Sequence, residues 1–384
     1  MMHSTHHDHH PSGRKLPFLS HLLSECMILP MALLQQVLHS KFGRSFHLQS
    51  LAPSISTFVI GGLFGLAFLP LLSFYLILKL EKCHFFFYYV PKDYIVGIII
   101  ILFLQYIITV LISDKSHHQI PVLSKSNNST KSWKLAQQFM KAHFDYFPMT
   151  CLPWSPNAKL PLSQKYIFAV HPHGIHCWPL NMFSFPHGPF DTLFPGLVGQ
   201  KLIGLAASIV FYLPIVRELF LSMRYIDASR SIANKALSKG YSIFVCTGGE
   251  QESLHTTIGE DFVVLSNRKG FIRLALSHGA HIVPVFGIGV NDLYQTYTYG
   301  HTFRRYIQSK FGIAIPIFHG RWFTPLPYKR PIQVLIGKPI PTPTPKIEGV
   351  RPDETLVQEY HEKYIQAVKD LHETHVKDRT LKIV

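Results

Sequence analysis

Two long stretches with no charged residue stand out when the polar positions are followed along the chain: Ile55 to Leu78 and Tyr94 to Ile112. At a rise of ~1.5 Å per residue, each is long enough to cross a hydrocarbon core about 30 Å thick. The connection between them, Lys79 to Asp93, carries Phe85-Phe86-Phe87-Tyr88-Tyr89, a cluster suited to the membrane interface. The pattern therefore predicts a two-helix transmembrane hairpin over 54–113. Arg14, Lys15, Lys41 and Arg44 precede it and Lys115, Lys125, Lys131 and Lys134 follow it, against Lys79, Lys82 and Lys92 in the turn. That excess puts both termini in the cytosol, where the sequon Asn127-Asn-Ser-Thr130 stays unused.

From about residue 140 the apolar positions change period. The β-prone runs Tyr166–Val170, Ser242–Cys246, His281–Phe286 and Gln333–Ile336 read as strands. Helical patterns fall between them: Ser231 to Ser238 stops at Gly240, and Arg268 to His278 stops at Gly279. Asp353 to His375 spaces Leu356, Val357, Tyr360, Tyr364, Val368 and Leu371 as the buried stripe of a helix. Strands alternating with helices imply an α/β fold with a mixed, largely parallel sheet flanked by helices. Leu202 to Val216 runs without a charge but is too short to cross a bilayer. It reads either as a re-entrant or interfacial helix or as a buried core helix. The other segments are a His-rich tail with an interfacial helix at 1–53, a Ser/Asn/Lys-rich linker at 114–139, and a cytosol-facing domain at 140–384.

Composition sharpens the class. Only 15% of residues are charged, against 47% hydrophobic, and globular proteins carry about 25% charged residues. This suits a membrane-associated chain. A net charge of +15 asks for an anionic partner such as a lipid surface or a phosphorylated ligand. Nucleic acid is excluded as a partner, because the basic residues are scattered and no binding motif accompanies them. Five widely spaced cysteines form neither a disulfide framework nor a zinc pattern, as expected of a reducing, cytosol-facing location.

The chemistry concentrates at His171-Pro172-His173-Gly174, directly after the first strand run. Two imidazoles are delivered on a stiff turn at a strand end, where α/β folds keep their sites. An imidazole can take and return a proton near neutral pH, so it can activate an alcohol for attack on an acyl group. The spacing lacks the helical HxxxH pattern and carboxylate ligands of a zinc site, and no metal is expected. Gly248-Gly249-Glu250-Gln251-Glu252-Ser253 follows the second strand run, so a carboxylate would meet the histidines if the two strands are neighbours. The Gly248 and Gly249 amides read as oxyanion donors, an anion nest or a plain tight turn. Arg268, Lys269 and Arg273 read as a phosphate-binding group or a solvated face.

Together with Tyr146-Phe147-Pro148, Phe211 to Glu218, and Arg268 onward to Gly287, these stretches resemble, in order and spacing, the type 2 diacylglycerol acyltransferase family. That family also contains monoacylglycerol and wax-alcohol acyltransferases. The likeness runs from about Tyr146 to His375, with the hairpin in the family's usual place. It implies a glycerolipid-acyltransferase-like fold and an endoplasmic-reticulum membrane enzyme, also found on lipid droplets, that moves an acyl group from acyl-CoA to a lipid hydroxyl. Diacylglycerol is the expected acceptor, with monoacylglycerol or a long-chain alcohol as alternatives. A catalytically silent lipid-droplet scaffold is the alternative from another class. No cofactor is implied beyond acyl-CoA as co-substrate, and a homo-oligomer is compatible with the resemblance.

The family's catalytic motif falls on His171 to Gly174. His171 and His173 are both candidate bases, with Pro172 and Gly174 shaping the substrate side of the turn. Wider relatives place an aspartate five positions after the histidine, but here that place holds His176 or Trp178. Glu252 is therefore the expected partner, with Glu250 as the alternative. Arg268, Lys269 and Arg273 would hold the CoA phosphates. Arg217 and Glu218 would pair at the membrane edge. An acyl-cysteine at Cys177 ranks below direct transfer. The chain departs from the family at Ile288-Gly289-Val290 and at Ser222 to Asp227, neither expected to touch the chemistry.

Overall fold

The computed structural model describes residues 116–121 and 131–384, apart from 214–215 and 312–313. All of them belong to the unit that runs from Ser50 to Val384. The hairpin expected at 54–113, the tail at 1–53 and the Asn127 sequon lie outside the described residues. Among the described residues no helix is long and apolar enough to cross a membrane.

The strands are β1 (Met149–Pro153), β2 (Tyr166–His171), β3 (Leu202–Ala206), β4 (Tyr225–Asp227), β5 (Ser242–Cys246) and β6 (Asp261–Val263). β7 (His281–Ile288), β8 (Gln295–Tyr297), β9 (Ile317–His319), β10 (Ile332–Ile336) and β11 (Leu381–Ile383) follow. The α-helices are α1 (Lys131–Tyr146), α2 (Pro189–Leu193), α3 (Val216–Ser222), α4 (Arg230–Ser238), α5 (Gly270–His278), α6 (His301–Phe311) and α7 (Glu354–His375).

Seven strands form one sheet in the order β1-β10-β7-β2-β5-β3-β4. β7, β2, β5, β3 and β4 are parallel, β10 is antiparallel to β7, and β1 is parallel to β10. The largely parallel sheet expected from the alternation is thus present. β2 is buried at all six positions, because both sheet faces are covered. Phe168 and Val170 point into an aromatic layer with Trp178, Phe183, Phe190 and Phe244. Ile167 and Ala169 alternate to the other face and meet Ala236, Ala275, Tyr364 and Val368.

The four strands and three helices read from the sequence are present, each within two residues of its expected limits; three differences stand out. Leu202–Val216 is neither a re-entrant nor a core helix. It forms β3, then a 3-10 turn at Ser208–Tyr212, and ends on the first residue of α3. A fully buried strand has no polar alternation and reads like any apolar run. The segment expected as a linker at 114–139 is partly helical, since α1 runs across its end from Lys131 to Tyr146. The third difference is that α5 starts at Gly270, so Arg268 and Lys269 precede the helix.

Candidate active site

β2 and β5 are parallel neighbours with Val170 opposite Cys246, so the loops that follow them leave the sheet side by side. His171, the last residue of β2, is fully buried. Its Nδ1 lies 3.2 Å from Glu252 Oε1 and its Nε2 2.7 Å from Thr247 Oγ1. In the Nδ1–H tautomer the ring donates to the carboxylate and accepts from the threonine, and both nitrogens are satisfied. The His171–Pro172 peptide is cis. Glu252 also accepts from the His173 N–H (2.6 Å, Oε2) and the Val264 N–H (2.8 Å, Oε1). One buried carboxylate therefore fixes the first imidazole and the backbone of the second. Glu252 is the partner expected from the sequence. Glu250 instead lies along the cleft described next.

His173 is placed differently. It is only partly buried, and its Nδ1 is 3.0 Å from the Gly174 carbonyl. A carbonyl only accepts, so Nδ1 carries the hydrogen and Nε2 is left with a lone pair. The ring lines a cleft of about 720 Å³ at the C-terminal edge of the sheet. Leu180, Leu205, Phe220 and Tyr225 give this cleft apolar walls, and Arg230, Asn267 and Arg268 add donors. Gly174 has φ +60, and a Cβ there would sit 2.8 Å from Val290 Cγ1.

The structure gives Gly248 a steric role. A Cβ on it would fall 1.8 Å from Glu252 Oε1, so the carboxylate can fold back only over glycine. Gly249 has φ +63 and lines the cleft. Of the three basic residues grouped for phosphate, only Arg268 lies on the cleft. Its guanidinium donates to the Gly248 carbonyl (3.2 Å) and Gln251 Oε1 (2.7 Å). Lys269 donates to Gln358 and Arg273 to Glu354, which ties both to the start of α7 and away from the cleft.

Arg217 and Glu218 do pair, at 2.7 Å. Cys177 lines the cleft, with Sγ 3.8 Å from the Pro172 carbonyl. Burial pushes the neighbouring Cys246 thiol well above its ordinary pKa, the setting of an inert cysteine. The donor group His117, His118 and Asp227, whose ligand atoms lie within 4.8 Å of one another, contains neither HPHG imidazole.

Four residues near the site were missed from sequence. Thr247 gave no signal beyond standing before two glycines. His176 is desolvated, and burial first, then the charge of His173, lowers its pKa to about 3. Val290, in one of the departures from the family pattern, packs against Gly174. Tyr225, in the other, lines the cleft. Both departures therefore touch the site, contrary to expectation.

The description "Diacylglycerol acyltransferase" belongs to the family model that matches residues 98–382. The chain belongs to this family. It is an acyltransferase of a group whose members differ in acceptor. The 2-acylglycerol O-acyltransferase 3 of Homo sapiens is 34% identical, over 60% of this chain and 69% of its own. The diacylglycerol O-acyltransferase 2A of Umbelopsis ramanniana is 34% identical, over 63% and 70%. The acyl-CoA wax alcohol acyltransferase 2 of Homo sapiens is 33% identical, over 64% and 74%. Among solved structures, the 1-acyl-sn-glycerophosphate (LPA) acyltransferase from Thermotoga maritima is similar with a TM-score of 0.39 and 16% identity, over 64% of this chain and 80% of that one.

Proposed function

We propose that the chain moves a fatty acyl group from acyl-CoA to the free hydroxyl of diacylglycerol, with His173 as the general base. The observation that carries this reading is the contrast between the two imidazoles. His171 has both nitrogens engaged in a buried network, whereas His173 has Nδ1 held by a carbonyl and its ring on the cleft. Nε2 of His173 takes the hydroxyl proton as the oxygen attacks the thioester carbonyl. The tetrahedral intermediate then collapses to the ester, and the expelled CoA thiolate takes the proton back from the imidazolium. His171, Glu252 and Thr247 position the base. Gly249, on the cleft wall, is the candidate to offer its amide to the oxyanion. Arg268 is the candidate for a CoA phosphate. The apolar walls suit the acyl chain. The hairpin expected at 54–113 would place this reaction at the endoplasmic-reticulum membrane, with lipid droplets as a second location.

The three acceptor types of the relatives stand at nearly equal identity, so the acceptor is decided by assay. Membranes from cells without neutral-lipid synthesis would receive this chain, labelled oleoyl-CoA, and diacylglycerol, monoacylglycerol and a C16 alcohol in parallel. Label in triacylglycerol that is lost in His173→Ala, at equal expression, is the expected result. Label in wax ester or diacylglycerol would change the acceptor and keep the mechanism. Transfer that survives His173→Ala would remove the base assignment. No transfer to any acceptor would favour a lipid-binding scaffold.

A further inference from the structure

We propose that the catalytic domain has its own membrane-docking face, built from β8, α6 and the β9 turn, that seats the cleft on an anionic bilayer. From Leu293 to Arg330 the sequence has no Asp or Glu and six Lys or Arg. Five aromatic side chains of this segment point outward: Tyr299 is 76% exposed, Phe303 66%, Tyr306 57%, Trp322 68% and Phe323 85%. Large exposed apolar patches mark interaction sites.

Four rings of this segment form a continuous stack. Tyr299 stacks on Tyr297 at 6.1 Å, Tyr297 on His319 at 5.6 Å, and His319 on Phe323 at 4.6 Å. Phe303, Tyr306 and Lys310 share one face of α6 by their spacing.

The display is held in place. Trp322 and Phe323 have φ of 54° and 56°, a region that bulky residues rarely occupy. The turn is closed by the Gly320 N–H on the Thr324 carbonyl and the Arg321 N–H on the Leu326 carbonyl, both at 2.7 Å. Buried Arg304 donates to the carbonyls of Tyr297, Tyr299 and Ile315, pinning β8 to the segment before β9. Strain held by a rigid frame is characteristic of functional surfaces, and here it pushes two rings into solvent.

The chemistry selects the partner. Tyr and Trp pair an apolar body with a polar tip and favour the headgroup level of a membrane. Exposed Arg305, Lys310, Lys329 and Arg330 suit acidic headgroups, and the Arg321 guanidinium lies 4.5 Å over the Trp322 ring. Pro316 and Phe318 of the same segment line the cleft, so docking would open the cleft towards lipid. The purpose of the face rests on the acyltransferase reading, but its existence does not.

The test uses the full chain in phosphatidylcholine/phosphatidylserine vesicles with brominated acyl chains. Bromolipid quenching of Trp322 is read as the difference between the native chain and Trp322→Phe. Strong quenching of that difference signal, with shielding from aqueous iodide, is the expected result. Quenching by iodide and not by bromolipid would overturn the proposal. Shielding from both would do so as well, since a second copy or another protein would then cover the face. A Trp322→Asp/Phe323→Asp variant should lose at least about tenfold in transfer to vesicle-borne diacylglycerol, yet keep its rate on a short-chain acceptor in detergent. Equal rates in vesicles would also overturn docking. Absence of transfer in the native chain would overturn only the acyltransferase reading, because the quenching result stands without it.

Discussion

Replacing Glu252 with glutamine keeps the side-chain volume and removes one acceptor from a place where three donors converge. Oε1 accepts from His171 Nδ1 and the Val264 N–H, and Oε2 accepts from the His173 N–H. His171 can adapt by changing tautomer, but the two backbone N–H groups cannot. Whichever way the new amide is turned, its NH2 faces one of them. A buried donor left unpaired costs about 1–3 kcal/mol. The strain falls on the turn that aims His173, so a loss of about 5–150-fold in kcat is expected if the whole cost appears in the transition state. Glu252 is 1% exposed, so water does not replace the missing acceptor. The assay is initial-rate transfer at saturating acyl-CoA, with Tm measured in detergent on the same preparation. Glu252→Gln should lower kcat and Tm and leave KM for acyl-CoA nearly unchanged, and Glu252→Ala should lower both further. A glutamine variant with native kcat and native Tm would refute the argument that this carboxylate holds the turn. So would a change confined to KM.

Three further outcomes follow from the same geometry. His176 is held neutral in the fold with a pKa near 3, whereas in the unfolded chain it protonates near 6.5. Its contribution is complete above pH 6.5 and is lost as the pH falls towards 3, by about 2 kcal/mol at pH 5. Tm should therefore drop between pH 7.5 and 5 by more in the native chain than in His176→Phe, and equal drops would refute this. Gly248→Ala places a methyl group on Glu252 Oε1 and should abolish activity. Gly249→Ala meets open space and pays only the left-handed backbone cost of about 1–2 kcal/mol, so comparable activities would count against the steric reading. Arg268→Ala should raise KM for acyl-CoA and Arg273→Ala should not, because only the first lies on the cleft; the reverse order would move the phosphate site.

The central strands were legible in the sequence because their side chains have nowhere polar to go. β5 occupies the residues read from the pattern, and β2 exceeds its run by one. The short strands β4, β6, β8, β9 and β11 span three residues each, too few for any period to show. α5 begins two residues later than the pattern suggests, because Asn267 stands where a cap would precede Arg268 and both basic residues are good helix formers, whereas the actual cap position is held by Lys269. In the site, His171, His173 and Glu252 were found through strand-end turns. Their division of labour was not, since it depends on which nitrogen meets Thr247, Glu252 or the Gly174 carbonyl. Those are contacts across the sheet, and spacing along the chain does not encode them.

Tyr364 of α7 donates to the Ala169 carbonyl at 3.0 Å, and its ring centroid lies 6.2 Å from that of His171. The last long helix is thus the floor beneath the histidine turn, although it lies almost two hundred residues further along. A transcript or gene prediction that stops before residue 354 would keep the HPHG turn, both glycines and Glu252, and would still encode a protein whose reactive loop has lost its support. For this chain, a screen that scores motifs alone would pass such a product as active.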